Sequence, residues 1–384
     1  MKCRACESAD LILLLDFGKC FLAGEYPKSP SDSIKAVKYP LQLYTCNICG
    51  ILQIGSLPDI HEIFHDDYVY RTGNIPSLVQ HFEKYADYIS RFLHEGSSIL
   101  EFGSNDGTLL SFLNAKKYRV VGFEASLNMA HLSKAKGIET YHGFFGEESL
   151  WLPDKSFDAI TCSNVYAHAH NIRLLTQEVF RLLKDDGKFF IEIHDADALL
   201  RNEFDAIYHE HCVYYSSKTL IHHLDKNGFR VVDLAKTLMH GSGLRVVAQK
   251  TEKMKQSVIK IKEIVNKQYE DAKNLPHKIT ELQDFVDDLA KEYSAIDLYG
   301  VAGKAQMLVQ HIKLDRFLKN AFDDSELRQD KYLVGTDLKI TKFAPKNLSK
   351  VAIIGAWNYA EHIIEKIRPH YSHIYTLIPE IKKW

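Results

Sequence analysis

Apolar and polar positions along this chain fall into blocks of two periods. Short apolar-rich runs at 97–102, Tyr118–Glu124, Phe157–Cys162 and Lys188–Ile193 read as strands, with Glu139–Tyr141 as a further short one. Between them, Thr108–Leu113 and Ile172–Leu183 carry apolar residues at helical spacing, the second strongly so. Strand and helix in alternation predict a parallel sheet covered on both faces, an α/β fold. After a helix at Ser217–Asn227, Phe229–Asp233 and Leu244–Ala248 are close enough to pair as an antiparallel hairpin at the sheet edge. A strict dinucleotide-binding fold has no such hairpin.

The same pattern divides the chain. Residues 1–56 are a loop-and-strand module with two cysteine pairs. Residues 57–96 form a helical connector, with Leu78, Phe82, Tyr85, Ala86, Ile89 and Leu93 on one face and an aromatic loop, Tyr68 to Gly73, before it. The alternating α/β domain runs over 97–250. A lysine- and glutamate-rich helical segment, 251–293, reads as a linker. A second α/β unit occupies 294–384, with strands at Ala295–Tyr299, Phe317–Phe322 and Val351–Ile354.

Composition narrows this only slightly. The 384 residues carry 48 Lys and Arg against 50 Asp and Glu, so no global field favours nucleic acid or an anionic membrane. There is no signal-peptide pattern at the start and no apolar run near the ~20 residues of a membrane span, so a cytoplasmic protein is expected. Seven cysteines, four in close pairs, suit reduced thiols serving a metal better than a disulfide framework.

Cys3-Arg-Ala-Cys6 and Cys46-Asn-Ile-Cys49 are two CxxC knuckles able to surround one zinc ion. Four thiolates leave no open position, so the site is structural; four unligated thiols are the alternative. The second signal is Glu-Phe-Gly-Ser-Asn-Asp-Gly-Thr-Leu-Leu over 101–110. A strand, a turn framed by Gly103 and Gly107, and a helix let backbone approach a ligand closely. The dinucleotide fingerprint would need glycines where Asn105 and Thr108 stand, so a nicotinamide cofactor fits poorly. Glu101 suits a ligand with a cationic amino-acid part, and S-adenosylmethionine is one. Glu124, ending the second strand, is placed to hold ribose hydroxyls, or else is an ordinary helix-start acid. The aromatics of His142–Gly146, Phe144 among them, could flank an adenine. Asn164 lies beyond the carboxyl end of the fourth strand, where open parallel sheets bind ligands.

Tyr208-His-Glu-His211 concentrates hydrogen-bonding side chains without the HExxH spacing of a metal helix. A neutral histidine is a serviceable general base, and Tyr208 shares the face of His211 if the stretch is a helical turn. The second glycine turn, Gly300-Val-Ala-Gly303-Lys304, places a lysine at a helix start, which suits a phosphate or else is simply exposed. Trp357-Asn358-Tyr359 follows another strand end.

In this order, the four motifs resemble the deoxysugar C-methyltransferases that act on nucleotide-linked keto-sugars, over nearly the full length. The resemblance implies an N-terminal zinc-binding module, a class I methyltransferase domain with a seven-stranded sheet, parallel but for one antiparallel edge strand, and a C-terminal Rossmann-like domain. It implies S-adenosylmethionine and structural zinc as cofactors. It makes His211 the base, with Tyr208 and Glu210 on the sugar, and adds His168 and Tyr70 as catalytic-site matches. His240, Lys304 and Asn358 fall on the substrate side. His240-Gly-Ser-Gly243 stands where His-Gly-Gly-Ser is common, and Gly303 where alanine is usual; both departures bear on sugar and nucleotide identity. The implied reaction is C-methylation of a nucleotide-diphosphate 4-keto-deoxysugar at C3. An O- or N-methyltransferase needs only a hydroxyl or amine at the same methyl. A zinc-knuckle nucleic-acid-binding protein with an inactive methyltransferase fold is the rival from another class, opposed by the near-neutral charge. The expected partner is the nucleotide-diphosphate sugar, with no nucleic acid and no membrane. The oligomeric state is open, and a monomer is compatible with the pattern.

Overall fold

In the computed structural model, which describes residues 1–59, 70–238, 241–251 and 259–384, three sheets stand side by side. The first begins with β1 (Leu11–Cys20), β2 (Tyr39–Cys46) and β3 (Leu52–Ile54), paired antiparallel in that order. Alternation along β2 turns Leu41 and Leu43 inward, where they join Leu15, Leu52 and Ile54 in a core. That core is not private to the module. It continues through Leu275 and Val286 into Leu298 and Met307 of the C-terminal unit.

The second sheet is the α/β domain: β4 (Ser98–Phe102), β5 (Arg119–Glu124), β6 (Glu139–His142), β7 (Phe157–Ser163) and β8 (Leu183–His194) are parallel. Strand β9 (Val213–Tyr214) leaves this domain and pairs antiparallel with β3 as the fourth strand of the first sheet. The hairpin of β10 (Phe229–Thr237) and β11 (Gly243–Lys250) completes the order β10-β11-β8-β7-β4-β5-β6. This is the class I methyltransferase sheet, with one refinement. The antiparallel strand is β11, one place in from the edge, because β10 folds back outside it.

The third sheet has β12 (Ile296–Tyr299), β13 (Leu318–Phe322), β14 (Ile340–Thr341), β15 (Val351–Ile354), β16 (His373–Thr376) and β17 (Lys382–Lys383). Its order is β14-β13-β12-β15-β16-β17, parallel except for β17. The fully buried Val-Ala-Ile-Ile of β15 is what a strand covered on both faces requires.

The segment expected as a linker is one helix, Ile261–Tyr293, with a buried stripe that includes Ile264, Ala272, Leu275, Leu282, Val286 and Leu289. Its Gln268 is buried and accepts from Thr45 Oγ1 (2.6 Å) while donating to Gly50 O (2.8 Å). A buried amide satisfied at both ends fixes position, since losing either partner costs about 1–3 kcal/mol. The helix is a strut between the first and third sheets. Of the expected connector, the helix spans Pro76–Ser90 with Leu78, Phe82, Tyr85, Ala86 and Ile89 buried, while Leu93 falls beyond its end and is half-buried; Tyr68 lies outside the described residues.

Candidate active site

A cavity of about 1120 Å³ opens at the carboxyl ends of β4, β5 and β7 and reaches across to the carboxyl end of β12. On the first side, Gly103 holds φ 63°, and its N–H donates to Phe123 O at 2.7 Å. A Cβ there would stand 2.3 Å from Val165 Cγ2, so only glycine lets the turn close. Glu101 is 3% exposed, and its Oε2 has no hydrogen-bond partner among the described residues. Burial, helped by the nearby carboxylates of Glu124, Asp106 and Glu192, pushes its carboxyl well above the usual range. A cation supplied by a ligand would relieve that cost. Glu124 accepts at Oε2 from Asn105 N (2.7 Å) and at Oε1 from Ser126 N (2.8 Å), which fixes the carboxylate on the cavity wall at the end of β5. Phe144 and Asn164 are on the wall, whereas Phe145 stacks inward on Phe102 at 4.7 Å.

Two members of the expected cofactor set do other work. Gly107 packs away from the cavity: with φ 71°, it lets Ser133 approach to where a Cβ would be 2.4 Å from Ser133 Oγ. Asn105 spends its side chain on the loop before the domain, donating to Tyr70 O (3.0 Å) and accepting from Thr72 N (3.0 Å). Its fully buried neighbour Asp106 takes Arg71 Nε and Gly73 N at 3.2 Å each, and Lys136 Nζ at 3.1 Å. Tyr70 thus lines the cavity on a loop fastened to the glycine turn.

Deeper in stand the expected chemical groups. His211 is 3% exposed, and its Nδ1 lies 3.0 Å from Ala206 O. A carbonyl only accepts, so Nδ1 carries the proton and Nε2 the lone pair. The Tyr208 hydroxyl is 2.8 Å from that Nε2, the two rings 4.0 Å apart. His168 and His194 sit 4.8 and 5.4 Å from the His211 ring. Burial lowers the His168 pKa, so it stands neutral, with Nδ1 on Glu210 O. Glu210 accepts Gly24 N at Oε1 (2.6 Å), while its buried Oε2 is unpartnered among the described residues and burial raises its pKa.

The far wall is the second glycine turn. Gly300, φ 84°, donates to Phe322 O at 2.8 Å. Asp323 accepts from Val301 N (2.7 Å), Ser325 N (2.8 Å) and Arg328 (2.9 Å). The Arg328 side chain is 14% exposed and its buried Nε is unpartnered among the described residues. Lys304 reaches the wall half-buried, lies over the Trp357 ring (4.8 Å) and faces Asp205 and Glu203. Burial pushes Asp205 up to about 6 against the pull of Lys304, and Trp357 Nε1 donates to it at 2.7 Å. Asn358 lines the cavity; His240 lies outside the described residues. Sequence reasoning passed over Arg328, Gly24 and Arg71. No motif marks them: Gly24 and Arg71 owe their places to partners distant in sequence, and Arg328 to Asp323 within an irregular stretch.

The four knuckle thiols have all their Sγ atoms within 4.8 Å of one another, with Cys3–Cys49 and Cys6–Cys46 at 3.6 Å. Tetrahedral zinc with ~2.3 Å bonds needs sulfurs about 3.8 Å apart, so the set fits. Glu101, with its orphaned buried oxygen, likewise fits the ammonium of S-adenosylmethionine.

Comparison with known proteins follows the same three sheets. Consecutive stretches match family models described as a "zinc binding domain" (residues 3–64), a "Methyltransferase domain" (79–234) and a "C-methyltransferase C-terminal domain" (238–378). C-methyltransferase NovU of Streptomyces niveus is 26% identical over 384 residues, 95% of this chain and 91% of that protein. The uncharacterized methyltransferase YcgJ of Bacillus subtilis is 32% identical over 103 residues, 26% of this chain and 41% of that protein. Among solved structures, the methyltransferase complexed with the Haloferax volcanii Trm112 activator is 16% identical. It covers 52% of this chain and 100% of that chain, with a TM-score of 0.44.

Proposed function

The chain being an S-adenosylmethionine-dependent C-methyltransferase of this zinc-binding, three-module family, we propose that it methylates a nucleotide-diphosphate 4-keto-deoxysugar at C3. The observation that carries this reading is a single cavity joining Glu101, the Tyr208–His211 pair and the Gly300–Arg328 wall. At about 1120 Å³ it exceeds the ~300–1,000 Å³ of a site for one drug-sized ligand, which supports two ligands end to end. Its near wall offers a bare carboxylate to a cation, and its far wall offers a buried guanidinium to an anion.

When bound, S-adenosylmethionine supplies an electrophilic methyl whose transfer to carbon breaks the S–CH₃ bond without a metal. The chain must supply a base, an oxyanion donor and alignment. A carbonyl acidifies the neighbouring C–H, and His211 Nε2 takes that proton because Ala206 O holds the other nitrogen protonated. The Tyr208 hydroxyl, 2.8 Å from Nε2, turns its one proton from that lone pair to the developing enolate oxygen, which frees Nε2 to act as base. Glu210 Oε2 accepts a sugar hydroxyl. Glu124 takes the ribose hydroxyls of the methyl donor, with Phe144 and Asn164 along its adenosine; Tyr70 and His168 border the sugar, and Asn358 the nucleotide.

His211→Asn is expected to bind S-adenosylhomocysteine normally and to lose methyl transfer. Near-normal turnover would remove His211 from the reaction. Solvent deuterium incorporation next to the ketone without methyl turnover tests the carbon route directly. Soaking thymidine, guanosine and cytidine diphosphates into crystals with S-adenosylhomocysteine identifies the nucleotide; if none orders against the Gly300 wall, the nucleotide-sugar assignment fails.

A further inference from the structure

The segment that carries the proposed base is tied to the zinc-binding module at almost every residue. His209 Nε2 meets Pro40 O at 3.3 Å, at the start of β2. Glu210 Oε1 accepts Gly24 N at 2.6 Å. Cys212 O accepts Ile54 N at 3.2 Å. Val213 and Tyr214 are β9, in register with Gln53 and Leu52 of β3. It is also tied to its own domain, through His168 Nδ1 on Glu210 O, Cys212 Sγ on His168 O, His211 Nδ1 on Ala206 O, Ala196 N donating to Tyr215 O, and Cys212, Val213 and Tyr215 packed in the core of the second sheet.

Strand β3 is itself set by the first knuckle. Gln53, fully buried, accepts from Arg4 N (2.9 Å) and donates to Lys2 O (3.2 Å), the backbone on either side of Cys3. The Arg4 guanidinium donates to Ile54 O (2.7 Å) and Gly55 O (3.0 Å), the carbonyls that end β3. The second knuckle fixes the other end, where Gly50 N donates to Cys46 O (2.8 Å) and Cys46 N to Ile51 O (3.0 Å). Knuckle, β3, β9 and Tyr208–His211 form one continuous hydrogen-bonded run.

We propose that the zinc module is the template on which the Tyr208–His211 segment takes its active geometry, with Arg4 as a positioning residue between metal site and base. The first knuckle is a turn ahead of β1 and the second a turn between β2 and β3; β3 has three residues and β9 two, too few to hold a register unaided. Without the metal, β3 loses both end clamps, and β9 pairs with no other strand among the described residues, so the segment carrying His211 loosens. The glycine turn at Gly103 belongs to the second sheet and keeps its shape. Metal loss therefore separates cofactor binding from catalysis.

The functional consequence rests on the assignment of His211 as base, but the test needs no substrate, so failure of the sugar reading leaves it intact. Full-length protein is measured with zinc and after chelation, by hydrogen exchange, by calorimetry with S-adenosylhomocysteine, and by ¹⁵N-histidine NMR with the His211 signal assigned from its absence in His211→Asn. Chelation is expected to speed exchange over 208–215 and 43–54 by about ten-fold or more and to erase the His211 Nδ1–H signal. S-adenosylhomocysteine affinity should stay within about two-fold, the size of effect distant sites share. Retained protection and signal at 208–215 with zinc gone overturns the proposal. Equal loss over 98–124 overturns it too, since the metal then holds the whole chain. Arg4→Gln keeps all four thiolates and is measured zinc-loaded. The same local loosening at unchanged zinc content supports Arg4 as the link, and native exchange and tautomer there remove it.

Discussion

Two glycine turns face each other across one cavity, and their backbones match. Gly103 and Gly300 both take positive φ and both donate to the last apolar residue of the adjacent strand, Phe123 and Phe322. Each turn then binds the acid that follows through two amides: Asn105 and Ser126 on Glu124, Val301 and Ser325 on Asp323. What differs is the charge placed around that frame. Two residues before Gly103 stands Glu101 with a bare buried oxygen; two before Gly300 stands Leu298. The second turn has instead Arg328, held by Asp323 with Nε bare, and Lys304 behind it. One frame carries an acid and the other bases. The backbone makes close approach possible on both sides, and the charged groups set around it are what differ.

The largest test of that contrast is to spoil each frame in turn. Gly103→Ala is expected to weaken S-adenosylhomocysteine binding by about 100-fold or more, from its clash with Val165 and an αL cost of roughly 1–2 kcal/mol. Gly300→Ala, whose Cβ would meet Ala356 Cβ at 2.5 Å, should spare that affinity and reduce nucleoside-diphosphate binding. Calorimetry with both ligands checks it, and equal damage to both would show that the two walls are not separate sites.

Glu101→Gln should cost about ten- to a hundred-fold in S-adenosylhomocysteine affinity, the ~1.5–3 kcal/mol of a hydrogen bond to a charged group. Arg328→Met is expected to weaken thymidine diphosphate by roughly ten-fold, with the methyl-donor side unchanged; a loss on the S-adenosylhomocysteine side instead would break the assignment of charges to ligands.

A smaller effect follows pH. Because the Glu101 pKa is raised in the fold, the native state holds a proton that the unfolded chain releases, so ligand-free stability falls as pH rises above 4.5. A bound ammonium favours the ionised form, so S-adenosylhomocysteine affinity should rise with pH and binding should release a proton. Glu101→Gln should flatten both slopes, and unchanged slopes would clear Glu101. Last, Lys366→Ala removes a half-exposed pair with Asp324 beside the second turn. It should shift stability by less than ~1 kcal/mol and neither ligand measurably. A large effect would mean that the second wall extends further than Arg328.

The legible parts of this chain were those carried by local pattern. The strands of the α/β domain could be read because sheets covered on both faces demand apolar runs. The knuckles could be read because four thiolates at CxxC spacing answer to one metal geometry. The helix at 261–293 was half legible: its stripe is regular, but the density of lysine and glutamate on its other faces read as a linker. The site divided the same way. Glu101 and Tyr208–His211 announce themselves as motifs, while Gly107 and the Asn105 side chain turned out to be spent on packing and on the Tyr70 loop. Arg328 sits in an irregular charged stretch with no period to mark it.

Sequence alone was enough to expect the methyltransferase sheet and the cluster of four cysteines, and to nominate the turn at Gly103 and the Tyr208–His211 segment as candidate site elements. Each of these depends on contacts within a few positions or on a chemistry that only certain residue types provide. Tertiary structure decided which units share a cavity, that β9 belongs to the zinc module's sheet, and that Lys304 faces Asp205 while Arg328 offers its bare nitrogen. Apart from Arg328, which Asp323 holds from five residues away, those outcomes depend on pairings between residues tens to hundreds of positions apart. A two-residue strand such as Val213–Tyr214 has no pattern of its own, and only the neighbour it finds in space assigns it a side.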